Sequence, residues 1–143
     1  MSRGEKLVKD AAPTSDACPF CEFPQVSEPM AQNGTFYAKY DTYPVSAGHV
    51  LLIPRRHIAS FFEMSKKERD DFFDLLLRVR EAIQEGFKPD GFNIGVNIGL
   101  AAGQTVMHLH VHLIPRYFGD VEHPQGGVRR IIPNKVLYPP QMP

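Results

Sequence analysis

The 143-residue sequence lacks a surplus of charge of either sign: 16 Lys and Arg stand against 16 Asp and Glu. With no net positive field to hold a nucleic-acid backbone through counterion release, bulk nucleic-acid binding is not expected. Long hydrophobic runs are missing too, since no stretch approaches the roughly 20 apolar residues that span a bilayer. Residues 1–17 lack the continuous apolar segment of a secretory signal. The expected location is therefore cytoplasmic, with no membrane partner. Cysteine is scarce: the only two sit together as Cys18-Pro-Phe-Cys21, too few and too close for a disulfide framework. Such a pair reads either as half a metal site or as a redox couple. There is no internal repeat and no low-complexity tract. What is present, 43% hydrophobic and 22% charged residues, suits one domain with a sizeable core.

Residues 1–17 mix Lys, Asp, Ser, Pro and Ala without periodicity and are expected to form a flexible tail. Residues 18–143 are expected to form a single domain whose segment after Pro115, rich in Pro and Gly, is irregular. Residues 36–40 and 50–54 read as strands joined by a turn containing Pro44 and Gly48, an antiparallel pair. Ser65-Lys66-Lys67-Glu68 is a capping box. Phe72, Phe73, Leu76, Val79 and Ile83 follow at helical spacing, and Gly86 and Pro89 give a stop, so a helix is expected over about 66–85. Residues 92–98 alternate like a strand, and the glycine-bearing loop 99–105 leads into 106–115. There Met107, Leu109, Val111 and Leu113 alternate with His108, His110 and His112, predicting a strand with an apolar face under the helix and an imidazole face opposite.

Three imidazoles at i, i+2 and i+4 admit three readings. The first is a solvated polar face that happens to be histidine, although such faces more usually carry Thr, Lys or Glu. In the second, two or three imidazoles ligate a catalytic zinc with an open position. Cys18 and Cys21 weigh against it, because they already supply two thiolates and a closed tetrahedral site needs only two more ligands. The third divides the labour among a metal ligand, a nucleophile and a phosphate contact. A neutral imidazole can attack phosphorus and leave in a second step, and Gly103-Gln104-Thr105 just upstream offers an amide, a hydroxyl and backbone N–H groups to charged phosphoryl oxygens.

His108-Leu109-His110-Val111-His112-Leu113-Ile114 resembles the motif of the histidine triad nucleotide hydrolases and transferases. The likeness extends over residues 36–116, through DTYPVSAGHVLLIP at 41–54 and NIGVNIGLAAGQTVMHLHVHLIPR at 93–116. Ala102-Gly103-Gln104-Thr105-Val106 with the triad is especially similar to the fragile-histidine-triad branch, whose members cleave diadenosine polyphosphates. The resemblance implies an α+β fold, a mostly antiparallel sheet with one long helix and a short one packed on it, and a homodimer whose sheets join. It implies that His110 is a nucleophile forming a nucleotidyl-histidine that water hydrolyses, and that His112 contacts and orients phosphate. Gln104 and Thr105 match donors around the α-phosphate and leaving group, alongside Gly103. Asn97 matches a further polar contact, Asp41 the residue that holds the ribose hydroxyls, and His49 a histidine of the active-site face. His112, where the nucleotidyltransferase branch typically has Gln, favours water as acceptor.

The fragile-histidine-triad branch lacks a metal site, whereas Cys18, Cys21, His57 and His108 resemble the four zinc ligands of bacterial triad proteins and of galactose-1-phosphate uridylyltransferases. The cofactor implied is a structural Zn²⁺. The function implied is hydrolysis at the α-phosphorus of a dinucleoside polyphosphate, releasing a nucleoside monophosphate. The alternatives are hydrolysis of an AMP-amine phosphoramidate, a non-catalytic nucleotide-binding regulator, and a redox protein using Cys18 and Cys21.

Overall fold

The alternating segments pair into one five-stranded sheet, antiparallel throughout, in the order β1-β2-β3-β5-β4. The computed structural model describes residues 18–136; the expected tail at 1–17 lies outside them. The strands are β1 (Ala31–Gln32), β2 (Phe36–Tyr40), β3 (Val50–Pro54), β4 (Gly91–Val96) and β5 (Val111–Arg116). Two helices accompany them, α1 (Pro19–Val26) and α2 (Lys66–Phe87). The α+β class, the β2–β3 antiparallel pair, and the long and short helices all stand as expected.

Helix α2 starts where the capping box places it: the Ser65 side chain accepts from the Glu68 N–H, and Glu68 accepts from the Ser65 N–H. It runs past Gly86 and stops at Lys88, which takes a left-handed conformation (φ 53°) just ahead of Pro89. Its buried stripe is Phe72, Leu75, Val79 and Ile83, whereas Phe73, expected inside, is exposed. These residues pack on Phe36, Ala38, Val50 and Leu52 and on Leu109, Val111 and Leu113. The apolar half of the triad segment thus lies beneath α2.

The triad strand is shorter than the alternation predicts. Register pairs Leu52 with Val111 and Val96 with Val111, and both ladders end there. Beyond that point β3 ends at Pro54, which has no N–H to extend the pairing. Instead Leu109 donates to the Ile58 carbonyl at 2.6 Å. His108 and His110 therefore precede β5, and only His112 lies on it.

The opposite face of the sheet carries a smaller cluster, Tyr37, Leu51 and Ile53, on which Phe20 and Phe23 of α1 pack. Tyr37 anchors the helix: its hydroxyl donates to the Phe20 carbonyl, and its ring stacks on Phe23 at 5.7 Å. This fastening brings Cys18 and Cys21 to the triad.

Candidate active site and metal centre

Two groups of imidazoles meet at the start of β5. In the first, Cys18, Cys21, His57 and His108 direct ligand atoms at one point, all within 4.8 Å of one another. His57 Nδ1 lies 3.1 Å from His108 Nδ1 and 3.2 Å from Cys21 Sγ, and His108 Nδ1 lies 3.4 Å from each sulfur. A tetrahedral ion with bonds of about 2.3 Å to sulfur and 2.0–2.1 Å to nitrogen has edges of roughly 3.3–3.8 Å; the spacings here are within a few tenths of an ångström of that, and two thiolates with two imidazoles are a donor set that suits a zinc-like ion. The outer contacts suit the role. His108 is fully buried and donates from Nε2 to the Pro54 carbonyl at 2.7 Å, which turns the Nδ1 lone pair to the cluster. Burial pushes its pKa down to about 4, keeping it neutral.

In the second group, backbone contacts fix each proton. His110 donates from Nδ1 to the His108 carbonyl at 2.8 Å, leaving the Nε2 lone pair directed away from the backbone. The Phe20 ring lies 4.9 Å from the His110 ring and the His112 ring lies 5.3 Å from it. His49 Nδ1 accepts from the Val45 N–H at 3.2 Å, so its proton sits on Nε2. That proton faces His112 Nδ1 at 2.9 Å and Asp41 Oδ2 at 3.4 Å. Accepting at Nδ1, neutral His112 carries its own proton on Nε2. Burial first, and then the neighbouring imidazoles, pushes the His112 pKa down to about 4; burial also lowers that of His49, against the pull of Asp41. His49 is only 2% exposed. The structure places this expected site histidine behind His112, between it and Asp41. Gly48, at φ +86°, makes the turn before it, where a Cβ would meet the Phe87 ring at 3.0 Å.

The loop before the triad divides in the same way. Gln104 is buried, and its amide is spent on the backbone: Oε1 accepts from Gly99 N, and Nε2 donates to the Ala59 and Val106 carbonyls. In this structure both donors of the expected phosphate contact are engaged by the Ala59 and Val106 carbonyls. Gly103 takes φ +88° and donates to the Leu100 carbonyl. Thr105 is exposed, and neither its hydroxyl nor its N–H is hydrogen-bonded among the described residues. Asn97, also exposed, follows β4 one residue past Val96 and two past Gly95, the register partner of His112. Asp41 accepts the Tyr43 N–H at 2.9 Å beside His49.

The HIT domain model matches residues 26–119. The chain belongs to the HIT family. An AP-4-A phosphorylase of Mycobacterium tuberculosis (strain CDC 1551 / Oshkosh) is 33% identical over 111 residues, 74% of this chain and 57% of that protein. The bis(5'-nucleosyl)-tetraphosphatase [asymmetrical] of Schizosaccharomyces pombe is 36% identical over 101 residues, 71% of this chain and 56% of that protein. The chain thus spans a little over half the length of these relatives. A crystal structure of a Zn-bound histidine triad family protein from Mycobacterium smegmatis superposes with a TM-score of 0.66 at 32% identity, over 75% of this chain and 80% of that one.

Within this HIT domain the matched span holds Asp41, His49, His57, the 97–105 loop and the triad, while Cys18 and Cys21 precede it and residues 120–136 follow. Backbone partners escaped the sequence reading: the Pro54 and His108 carbonyls and the Val45 N–H, which decide which nitrogen of each imidazole is free. No residue identity encodes them. The contact of Phe20 with His110 depends on the fastening of α1.

Proposed function

We propose that this HIT domain hydrolyses dinucleoside polyphosphates at an α-phosphorus. His110 Nε2 attacks phosphorus, the bond to the bridging oxygen breaks, and its electron pair leaves with the departing nucleotide. Water then attacks the nucleotidyl-histidine, the P–N bond breaks, and nucleoside monophosphate and free imidazole are released. His112 presents its Nε2 proton to the phosphoryl oxygens, Thr105 and Asn97 add neutral donors, and Asp41 holds the ribose. Gln104, Gly103 and His49 position these groups. The observation that carries the reading is the His110 imidazole with Nδ1 tied to a carbonyl, Nε2 open, and His112 alongside. The names of the relatives, a phosphorylase and a tetraphosphatase of dinucleotides, support the substrate class.

Cys18, Cys21, His57 and His108 hold a structural Zn²⁺, which fixes the α1 loop to the triad segment and takes no part in the reaction. Among the described residues no helix is long and apolar enough to cross a membrane, and a cytoplasmic location suits a Cys18 and Cys21 pair that serves as metal ligands. A homodimer is supported by the edge position of β4 and by the exposed Phe73, Leu77 and Ile94. Incubation with diadenosine tri- and tetraphosphate and with an adenosine phosphoramidate, followed by chromatography, tests the activity. AMP release by the wild type and not by His110→Ala is expected, with the diadenosine compounds preferred. Binding of AMP without turnover of any of the three would leave a nucleotide-binding regulator.

A further inference from the structure

The face of the sheet that carries His112 is only half covered. Helix α1 lies over its β2–β3 half, through Tyr37, Leu51 and Ile53. On the other side of the triad, over β4 and β5, lies a solvent-open cavity of about 540 Å³ lined by Val45, Ser46, Asn93, Ile114, His123 and Arg130. That volume is in the range of small-molecule sites. Its floor continues the active site. Ile114 is the next residue of β5 on the His112 face, about 7 Å along the strand, and its register partner is Asn93, just as Gly95 is the partner of His112. Its roof begins at Val45, whose N–H sets the His49 tautomer.

The walls are tied in place. The Ser46 hydroxyl donates to the Pro115 carbonyl, and the Tyr117 hydroxyl to the Ala47 carbonyl, both at 2.6 Å. Arg116 forks onto Asp120 at 2.8 and 2.9 Å and donates to Asn93 Oδ1 at 2.6 Å. Arg130 donates to the carbonyls of His123 and Gln125. The outer wall, Val121, Glu122, His123 and Arg130, follows the span that the family model matches.

We infer that this cavity binds the second nucleoside of the substrate, the one that departs with the leaving group. This rests on the hydrolase reading above. Arg116 and Arg130 are balanced by Asp120 and Glu122 around the cavity. It therefore favours an uncharged nucleoside over further phosphates, which remain beside the triad. The Ile114 and Val45 side chains offer apolar contact to a base. Asn93, its Oδ1 held by Arg116, keeps the Nδ2 donors without a partner among the described residues, for ring nitrogens or carbonyls of the base.

The test is equilibrium binding to the metal-loaded full chain of a methylene-bridged diadenosine triphosphate, against a methylene-bridged ATP analogue with the same number of phosphates and one nucleoside. About tenfold tighter binding of the diadenosine compound is expected, and Val45→Trp, which fills the cavity, should erase that advantage. Metal content and circular dichroism report whether the variant folds; if it does not, Asn93→Asp, which removes the amide donors, carries the test with a severalfold loss expected. Equal affinities in the wild type overturn the inference, as does an advantage that survives both substitutions. Binding requires no turnover, so the two readings separate. A wild type that releases no AMP from diadenosine triphosphate yet prefers the two-nucleoside analogue removes the hydrolase reading alone. Normal hydrolysis with equal affinities removes the cavity assignment alone.

Discussion

His108 and His110 are two residues apart, yet their imidazoles do opposite things, and the difference lies in which nitrogen the backbone takes. His108 gives its Nε2 proton to Pro54 and turns Nδ1 to two sulfurs. His110 gives its Nδ1 proton to the His108 carbonyl and leaves Nε2 open. One is sealed at 0% exposure and the other is half-buried at the rim. A carbonyl acceptor placed at one nitrogen or the other decides which nitrogen is left free, and on the proposed function it is this that separates a ligand from a nucleophile.

The widest separation between the two positions is expected in catalysis. His110→Ala should lower turnover by roughly 10³-fold or more while metal content and melting temperature stay near those of the wild type. Turnover within a few-fold of the wild type would remove His110 from the nucleophile's place. Replacing a ligand in the other cluster should act the other way round. Cys18→Ser is expected to lose bound zinc, measured by elemental analysis, and to cost about 3 kcal/mol, roughly 10 °C in melting temperature. A variant that keeps both metal and stability would dissolve the distinction between the clusters.

The contrast also shows where the sequence was legible. Alternation and helical spacing placed β5 and α2, because each buries a face whose period is written in residue types: Phe72, Val79 and Ile83 on the helix, Val111 and Leu113 on the strand. The capping box at Ser65 and Glu68 marked the start of α2 for the same local reason. The ends were harder. The β5 ladder stops at Val111 because of Pro54, some 57 residues away, and α2 passes Gly86 to stop on a left-handed Lys88. At the site, residue types and the motif picked out the histidines and cysteines. The hydrogen bonds of Gln104 and His49 were not legible, since they depend on carbonyl acceptors at Ala59 and Val106 and on the N–H donor of Val45, which only the fold assembles.

His49 offers a finer way to divide the site. It is buried and hydrogen-bonded to His112; on the proposed function His49→Phe should lower kcat by about 10–100-fold, as removal of an orienting partner commonly does, with little change in KM. A rise in KM at constant kcat would mean that His49 meets the substrate after all.

The smallest effect expected is on stability against pH, and it separates imidazole from carboxylate. His112 is held down to about 4 in the fold, below the ordinary value near 6.5. The unfolded chain therefore binds more protons than the folded one across that interval. Its contribution is full above about 6.5 and drains as pH falls through about 4. Glu68, held by Arg56 at 2.7 Å and lowered to about 2, behaves alike in sign but in a lower window: its contribution is full above its ordinary value near 4.5 and is lost toward pH 2. Melting temperatures of wild type and His112→Asn between pH 7.5 and 4.5 should show a shallower decline in the variant. Arg56→Ala should instead lower stability already at neutral pH, by leaving a buried carboxylate without its partner, and should flatten the curve only below about pH 4.5. Identical slopes for wild type and His112→Asn would mean that the imidazole beside His49 titrates like one in water, and that the hydrogen-bonded chain from Val45 does not hold its proton.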